Sequence, residues 1–224
     1  MESQKNNQNL HAPSPEVAVA CESLNPIIDL PKVVSEKLED FPEEKRVELD
    51  PLYRDLPILG PYKYQNGDTY LGQYKEGKRT GFGKQVYADG SSYEGYWEND
   101  IRERYGIRIN AQGFAYQGDV LRGKANSQGR KIYSCGSVYE GGWVDEIESG
   151  YGVLKYIDGG SYAGGWKNRE MEGRGIRETS EGVIYNGEWK RSEKHGWGSH
   201  EFENLKYIGN FHRDFKQGYG TQLE

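Results

Sequence analysis

Glycine is missing before Gly60, and proline is missing after Pro61. All 31 glycines and all 8 prolines obey that division. Two physically different chains therefore meet there. Aromatic residues are also scarce in the first part, where only Phe41 and Tyr53 precede Gly60. Long apolar runs are missing throughout. None approaches the roughly 20 residues of a helical membrane span. The start, MESQKNNQNL, has no signal-peptide core and lacks the Gly at position 2 that myristoylation needs. The two cysteines, Cys21 and Cys135, make neither a disulfide framework nor a metal site. A reducing, cytoplasmic setting is the default expectation.

An excess of one charge is missing from the larger part of the chain. The whole protein carries −6 over 224 residues. Residues 1–59 hold 12 acids and 6 bases, so the remainder balances at 23 of each. A neutral region is no electrostatic magnet for nucleic acid or anionic lipid. The mean hydropathy of −0.94 is very hydrophilic for a folded domain. It suits a thin, elongated array that relies on aromatic rings better than a thick two-layer core.

Residues 1–25 are polar and proline-bearing, with the composition of a disordered segment. An apolar stretch follows from Ile27 to Phe41, and a short helix is expected near 32–50, bounded by Pro31 and interrupted at Pro42. This tail reads as a linker or as a docking segment. In the second reading Val33, Val34, Leu38 and Phe41 are the candidate binding residues. The domain division is a tail, 1–59, and an array, 60–224.

What the chain has in abundance is a period. Tyr70, Tyr93, Tyr116, Tyr139, Tyr162, Tyr185 and Tyr207 recur at one fixed step, and only the last step is shorter, by a single position. Glycine stands two positions after each. A fixed period in this range means a repeat array. The unit opens with Gly-x-x-Tyr-x-Gly-x-aromatic, with Asn204 in place of the first glycine in the last unit. The second aromatic is Tyr74, Trp97, Trp143, Trp166, Trp189 or Phe211, with Val120 in the third unit. A turn and Gly-x-Gly follow, as in Gly81/Gly83 and Gly173/Gly175.

Both motifs have a period of two, so each reads as a β-strand with its key positions on one face. Two strands per unit make a hairpin, and seven hairpins make an all-β, single-layer antiparallel meander of about 14 strands, each about five residues long. Glycine weakens a strand interior unless another group covers it, and a tyrosine or tryptophan ring on the neighbouring strand can lie over the bare backbone. The rings are thus expected to form the core of a narrow ribbon.

Units such as YLGQYKEGKRTGFGKQVYADG and YEGGWVDEIESGYGVLKYIDG resemble the MORN repeat family (membrane occupation and recognition nexus). The resemblance covers about residues 62–224. It implies a non-enzymatic scaffold in cytoskeletal assemblies, including ciliary axonemes, where radial-spoke head proteins carry such repeats. Its partners would be other proteins of such a complex, and open ends allow end-to-end pairing of two copies. A peripheral membrane tether is the alternative, opposed here by the neutral array. An accessory subunit of an enzyme is a third reading. Two departures stand out: Arg104 and Ser127 replace the first glycine of Gly-x-Gly in the second and third units. The stretch from about Arg102 to Arg130 is expected to be irregular.

Catalytic chemistry is not expected. No Gly-x-x-x-x-Gly-Lys-Ser/Thr loop occurs, and the Gly-x-Gly pairs lack a βαβ setting. No cofactor is expected. His195, His200 and His212 lie in adjoining repeats and read as surface or turn residues rather than a zinc site. The motif rings Tyr70, Tyr93, Trp97, Tyr139, Trp143, Tyr162, Trp166, Tyr185 and Trp189 read as packing first. A binding strip along one face is the second reading.

Overall fold

The computed structural model describes residues 51–224. The tail residues Val33, Val34, Leu38 and Phe41 and the helix expected near 32–50 lie outside that range. After a short 3-10 turn, Pro51–Tyr53, the chain forms one antiparallel sheet of 15 strands in sequence order. They are β1 (Ile58–Lys63), β2 (Thr69–Lys75), β3 (Lys78–Val86), β4 (Ser92–Glu98), β5 (Ile101–Ile109) and β6 (Ala115–Leu121). Then come β7 (Lys124–Ile132), β8 (Val138–Val144), β9 (Ile147–Lys155), β10 (Ser161–Lys167) and β11 (Glu170–Glu178). β12 (Ile184–Lys190), β13 (Glu193–Phe202), β14 (Leu205–His212) and β15 (Phe215–Leu223) complete the sheet. The expected single-layer meander is the observed fold.

The strand beyond the expected 14 is β1, and it has a sequence cause. Gly60, Tyr64 and Gly67 stand one full period before Gly83, Tyr87 and Gly90. The second half of a repeat therefore precedes the first full one. The strands are longer than expected, as in the seven of β2 and the nine of β3. Pairing continues past the glycines on both sides.

Turn chemistry fixes the meander. Two-residue loops with φ > 0 at both positions join the strands within units, as at Asn99 and Asp100 (φ 49° and 70°) or Asp145 and Glu146 (48° and 72°). Such turns match the right-handed twist of the strands. Longer links join successive units. In one, Tyr87 N–H donates to Ser91 O at 2.8 Å and Gly90 N–H to Tyr87 O at 3.0 Å. Asn204 stands where this link has its glycine, and there β13 and β14 meet through Glu203 and Asn204 alone. That accounts for the shortened final step.

Each within-unit hairpin shifts register after its glycine pair, as between Gly164 and Trp166. The first glycine of Gly-x-Gly takes the left-handed conformation there: φ is +90° at Gly81 and +74° at Gly173. Arg104 and Ser127 hold the same conformation, at 64° and 53°. Pairing continues through β5, β6, β7 and β8 as it does elsewhere in the sheet. The irregular backbone expected from Arg102 to Arg130 is therefore not observed, because two non-glycine residues accept the strained geometry.

The rings form one column on one face. A Cβ built on Gly83, Gly106, Gly129, Gly152, Gly175, Gly198 or Gly220 would strike the ring of Tyr70, Tyr93, Tyr116, Tyr139, Tyr162, Tyr185 or Tyr207 respectively. Each tyrosine hydroxyl donates to the carbonyl three positions on, from 2.7 Å at Asp119 to 3.4 Å at Asn210. That carbonyl sits next to the register shift of the hairpin. Tryptophan indoles link successive units. Trp97, Trp143, Trp166 and Trp189 donate to the Gly83, Gly129, Gly152 and Gly175 carbonyls at 3.1–3.2 Å. Their rings stand edge-on to the motif tyrosines, as Trp166 does to Tyr139 and Tyr162 at 5.2 Å. Val120 breaks the chain of rings between Tyr93 and Tyr116.

Candidate interaction surface

The ring face is closed by charged side chains. The Arg79 guanidinium lies 4.3 Å from the Trp97 ring and Arg102 lies 5.4 Å from Tyr93. Lys194 covers Tyr185 at 5.6 Å, and Lys216 covers Tyr207 at 4.6 Å. Cations favour the negative face of an aromatic ring, and their aliphatic stems exclude water from it. Tyr70, Tyr93, Trp97, Tyr139, Trp143, Tyr162, Trp166, Tyr185 and Trp189 are all buried, none more than 6 % exposed. The structure places these nine candidates inside the column rather than on an accessible strip. Burial pushes the hydroxyls of Tyr70, Tyr93, Tyr116 and Tyr139 well above the ordinary tyrosine value, and that of Tyr185 to about 12.

Near the middle of the column the lid becomes an ionic network. Arg108 makes a two-pronged contact with Glu146 at 3.0 and 2.6 Å, and Glu146 also accepts the Ala125 N–H. Burial raises the Glu146 pKa, but Arg108 and the amide outweigh it and hold the carboxyl below its ordinary value. Buried Glu148 accepts from Lys131 Nζ at 3.2 Å and from Tyr133 Oη at 2.8 Å. Its second oxygen faces Arg169 Nε at 3.3 Å. Burial lowers the Lys131 pKa against the pull of Glu148. The network is not fully satisfied: Arg108 Nε, Glu148 Oε2, and Arg169 Nε and Nη2 are buried without a hydrogen bond among the described residues.

The opposite face is uneven. At its N-terminal end the segment before β1 lies across it. Tyr53 is 6 % exposed and packs on Tyr96 at 6.0 Å, and the Arg104 guanidinium lies 5.0 Å from its ring. Buried Gln73 donates to the Tyr53 and Leu56 carbonyls at 2.5 and 3.2 Å and accepts the Phe82 N–H at 2.7 Å. Toward the C-terminal end no described segment crosses the same face, and Tyr151, Trp197 and Tyr219 are exposed. Among the described residues neither edge strand has a strand on its outer side, and every residue of β1 and β15 is exposed.

His195 and His212 are cross-strand neighbours with rings 5.1 Å apart, and His200 lies elsewhere on β13. Among the described residues no group of three or more histidine, cysteine or acidic side chains is gathered as a metal site, and no helix is long and apolar enough to cross a membrane. The residues that sequence reading missed are those on this exposed face. Their signal was the middle position of Gly-x-Gly, which alternation points away from the rings.

The MORN repeat profile matches residues 70–92, 93–113, 116–138, 139–161, 162–182, 185–204 and 207–223. No curated protein matches the chain. Among solved structures, the TCP10 domain of Danio rerio CPAP in complex with a STIL peptide is similar at 8% identity and a TM-score of 0.38. The match covers 65% of this chain and 64% of that one, so this chain spans less than two thirds of it. The Drosophila melanogaster SAS-4 TCP domain, in complex with a proline-rich motif of Ana2, is similar at 8% identity and a TM-score of 0.35. That match covers 82% of this chain and 98% of that one.

Proposed function

The chain belongs to the MORN repeat family, and from that premise we propose that it is a non-enzymatic protein-interaction scaffold. The observation that carries this reading is the division of labour between the two faces. The rings that hold the ribbon together are buried on one face, while among the described residues much of the other face and both sheet edges are exposed. A stable single-layer sheet with an exposed face is a surface built for contact. The proposal extends to a cytoplasmic setting in a cytoskeletal or ciliary assembly, of the axonemal radial-spoke kind. It includes end-to-end pairing of two copies through their exposed edge strands, since an unpaired edge is a template for another chain.

The test is affinity capture from the native cell with the full chain. Recovery of cytoskeletal or ciliary proteins supports the assembly. Recovery of an enzyme activity in place of a structural partner overturns the scaffold reading. A peripheral membrane role has one observation in its favour: Lys194 and Lys216 form no ion pair among the described residues. Salt-sensitive sedimentation with phosphatidylserine vesicles, but not with pure phosphatidylcholine vesicles, would put that reading first.

A further inference from the structure

We propose that the exposed face of β9 to β15 is a docking track for a proline-rich segment of a partner protein. The proposal deepens the scaffold reading and rests on it only in that the occupant is a protein. The middle residues of successive Gly-x-Gly motifs form a row across the sheet: Tyr151 on β9, Arg174 on β11, Trp197 on β13 and Tyr219 on β15. The pairings Tyr151 with Gly165, Arg174 with Glu188 and Trp197 with Asn210 keep the row continuous. The three rings are 68 %, 55 % and 90 % exposed. Large aromatic side chains left this open on a folded surface ask for a cover.

Spacing points to the occupant. Alternate strands lie about 9.6 Å apart. A polyproline II helix advances about 9.3 Å per turn of three residues. A proline-rich segment crossing the strands therefore meets one ridge of the row per turn. Ten residues span about 31 Å, against about 29 Å from β9 to β15. Such a segment has no internal hydrogen bonds and presents its carbonyls. Arg174, the Trp197 indole N–H and the tyrosine hydroxyls are donors at the places it passes. Between the ridges, Arg174, Glu188, Trp197 and Ile208 wall an open cavity of about 310 Å³ over the backbone of Gly187 and Gly198. Preformed proline-rich helices dock on aromatic-lined surfaces of this kind at low entropic cost.

The chain itself shows how this face is covered. At the N-terminal end the same row reads Phe82 and Tyr105, flanked by Gln73 and Tyr96. There the segment PLYRDLP, residues 51–57 with a proline at each end, lies across it. Tyr53 packs on Tyr96, and two main-chain carbonyls take hydrogen bonds from the Gln73 side chain. An intramolecular segment that opens with a 3-10 turn covers one end of this face, and among the described residues no segment crosses the other end.

The test uses the fact that Trp197 is the exposed indole, while Trp97, Trp143, Trp166 and Trp189 are buried. The full chain, labelled with nitrogen-15, is titrated with decaproline and, separately, with a Gly-Ser peptide of equal length. The expected result is a saturable shift of the Trp197 indole resonance with decaproline alone, with the buried indoles still. Affinity should drop about three- to tenfold in Tyr219→Ala, which removes the ring at the β15 end of the row. No shift with decaproline at millimolar concentration, or an equal shift with both peptides, overturns the proposal. A shift that appears on raising the protein concentration without peptide assigns the face to a second copy and also overturns it. A chain that captures protein partners but gives no decaproline shift fails here while the scaffold reading stands.

Discussion

At Gly175 an added Cβ would lie within the Tyr162 ring, 2.6 Å from its carbons. The ring is fully buried between Trp166 and Trp189 and cannot swing aside. Gly175→Ala is therefore expected to destabilise by about 1–3 kcal/mol, the usual cost of overpacking, read from urea unfolding. Unchanged stability would mean the ring does not rest on the glycine backbone. The bulge position gives the opposite sign. Ser127 holds φ at 53°, a conformation that costs a non-glycine residue about 1–2 kcal/mol. Ser127→Gly is expected to stabilise by up to about 1 kcal/mol, part of the released strain being offset by the greater freedom of unfolded glycine. The same urea experiment checks it, and a loss of stability would contradict the strain argument.

Within an element, the link between neighbouring hairpins is the tryptophan. Trp166 joins two tyrosines and bonds the Gly152 carbonyl of the preceding unit at 3.2 Å. Trp166→Phe keeps a ring and removes the donor, so a loss of about 1 kcal/mol is expected. The ionic lid adds a pH dependence. The folded pKa of Glu146 is below its ordinary 4.5. Its contribution is complete above that value and is lost as pH falls through the folded pKa. The melting temperature should therefore drop more steeply in acid for the native chain than for Glu146→Gln. Parallel acid profiles would exclude Glu146 as the responsive group. Legibility in the sequence differed among these elements. The Tyr-x-Gly-x-Trp and Gly-x-Gly alternation carried strand, face and partner, because period two maps directly onto a pleated strand. Arg104 and Ser127 misled, since backbone strain tolerated in one conformation leaves no mark in a pattern of residue types. The lid of Arg79, Arg108 and Lys131 was also hidden, because a charge seen along the chain gives no sign that its stem crosses a ring on another strand.

For the whole molecule, the repeated tyrosine sets a collective response to alkali. Unfolded tyrosines ionise near 10, whereas Tyr70, Tyr93, Tyr116 and Tyr139 resist until well above that, and Tyr185 until about 12. The unfolded state thus gains ionised side chains first, and stability falls as pH rises above 10. Each such tyrosine contributes about 1.4 kcal/mol per pH unit in that window. Phenolate absorbance should therefore rise in a cooperative step that coincides with loss of strand signal. A gradual rise in a chain that stays folded would contradict the burial of the column. The array and its length were legible from the fixed tyrosine period, and so was β1 in retrospect. The exposed C-terminal face was not, because whether an outward ring is covered depends on where the segment before β1 crosses, which no local pattern records.

The most direct measurement compares two residues of one type on the two faces: thermal unfolding of Trp166→Ala beside Trp197→Ala. Trp166 is 6 % exposed and Trp197 is 55 % exposed. If the ring face carries the fold and the other face is reserved for contact, Trp166→Ala loses about 3–5 kcal/mol and Trp197→Ala stays within about 0.5 kcal/mol of the native chain. Equal losses in the two variants, or a larger loss in Trp197→Ala, would contradict that division of the molecule.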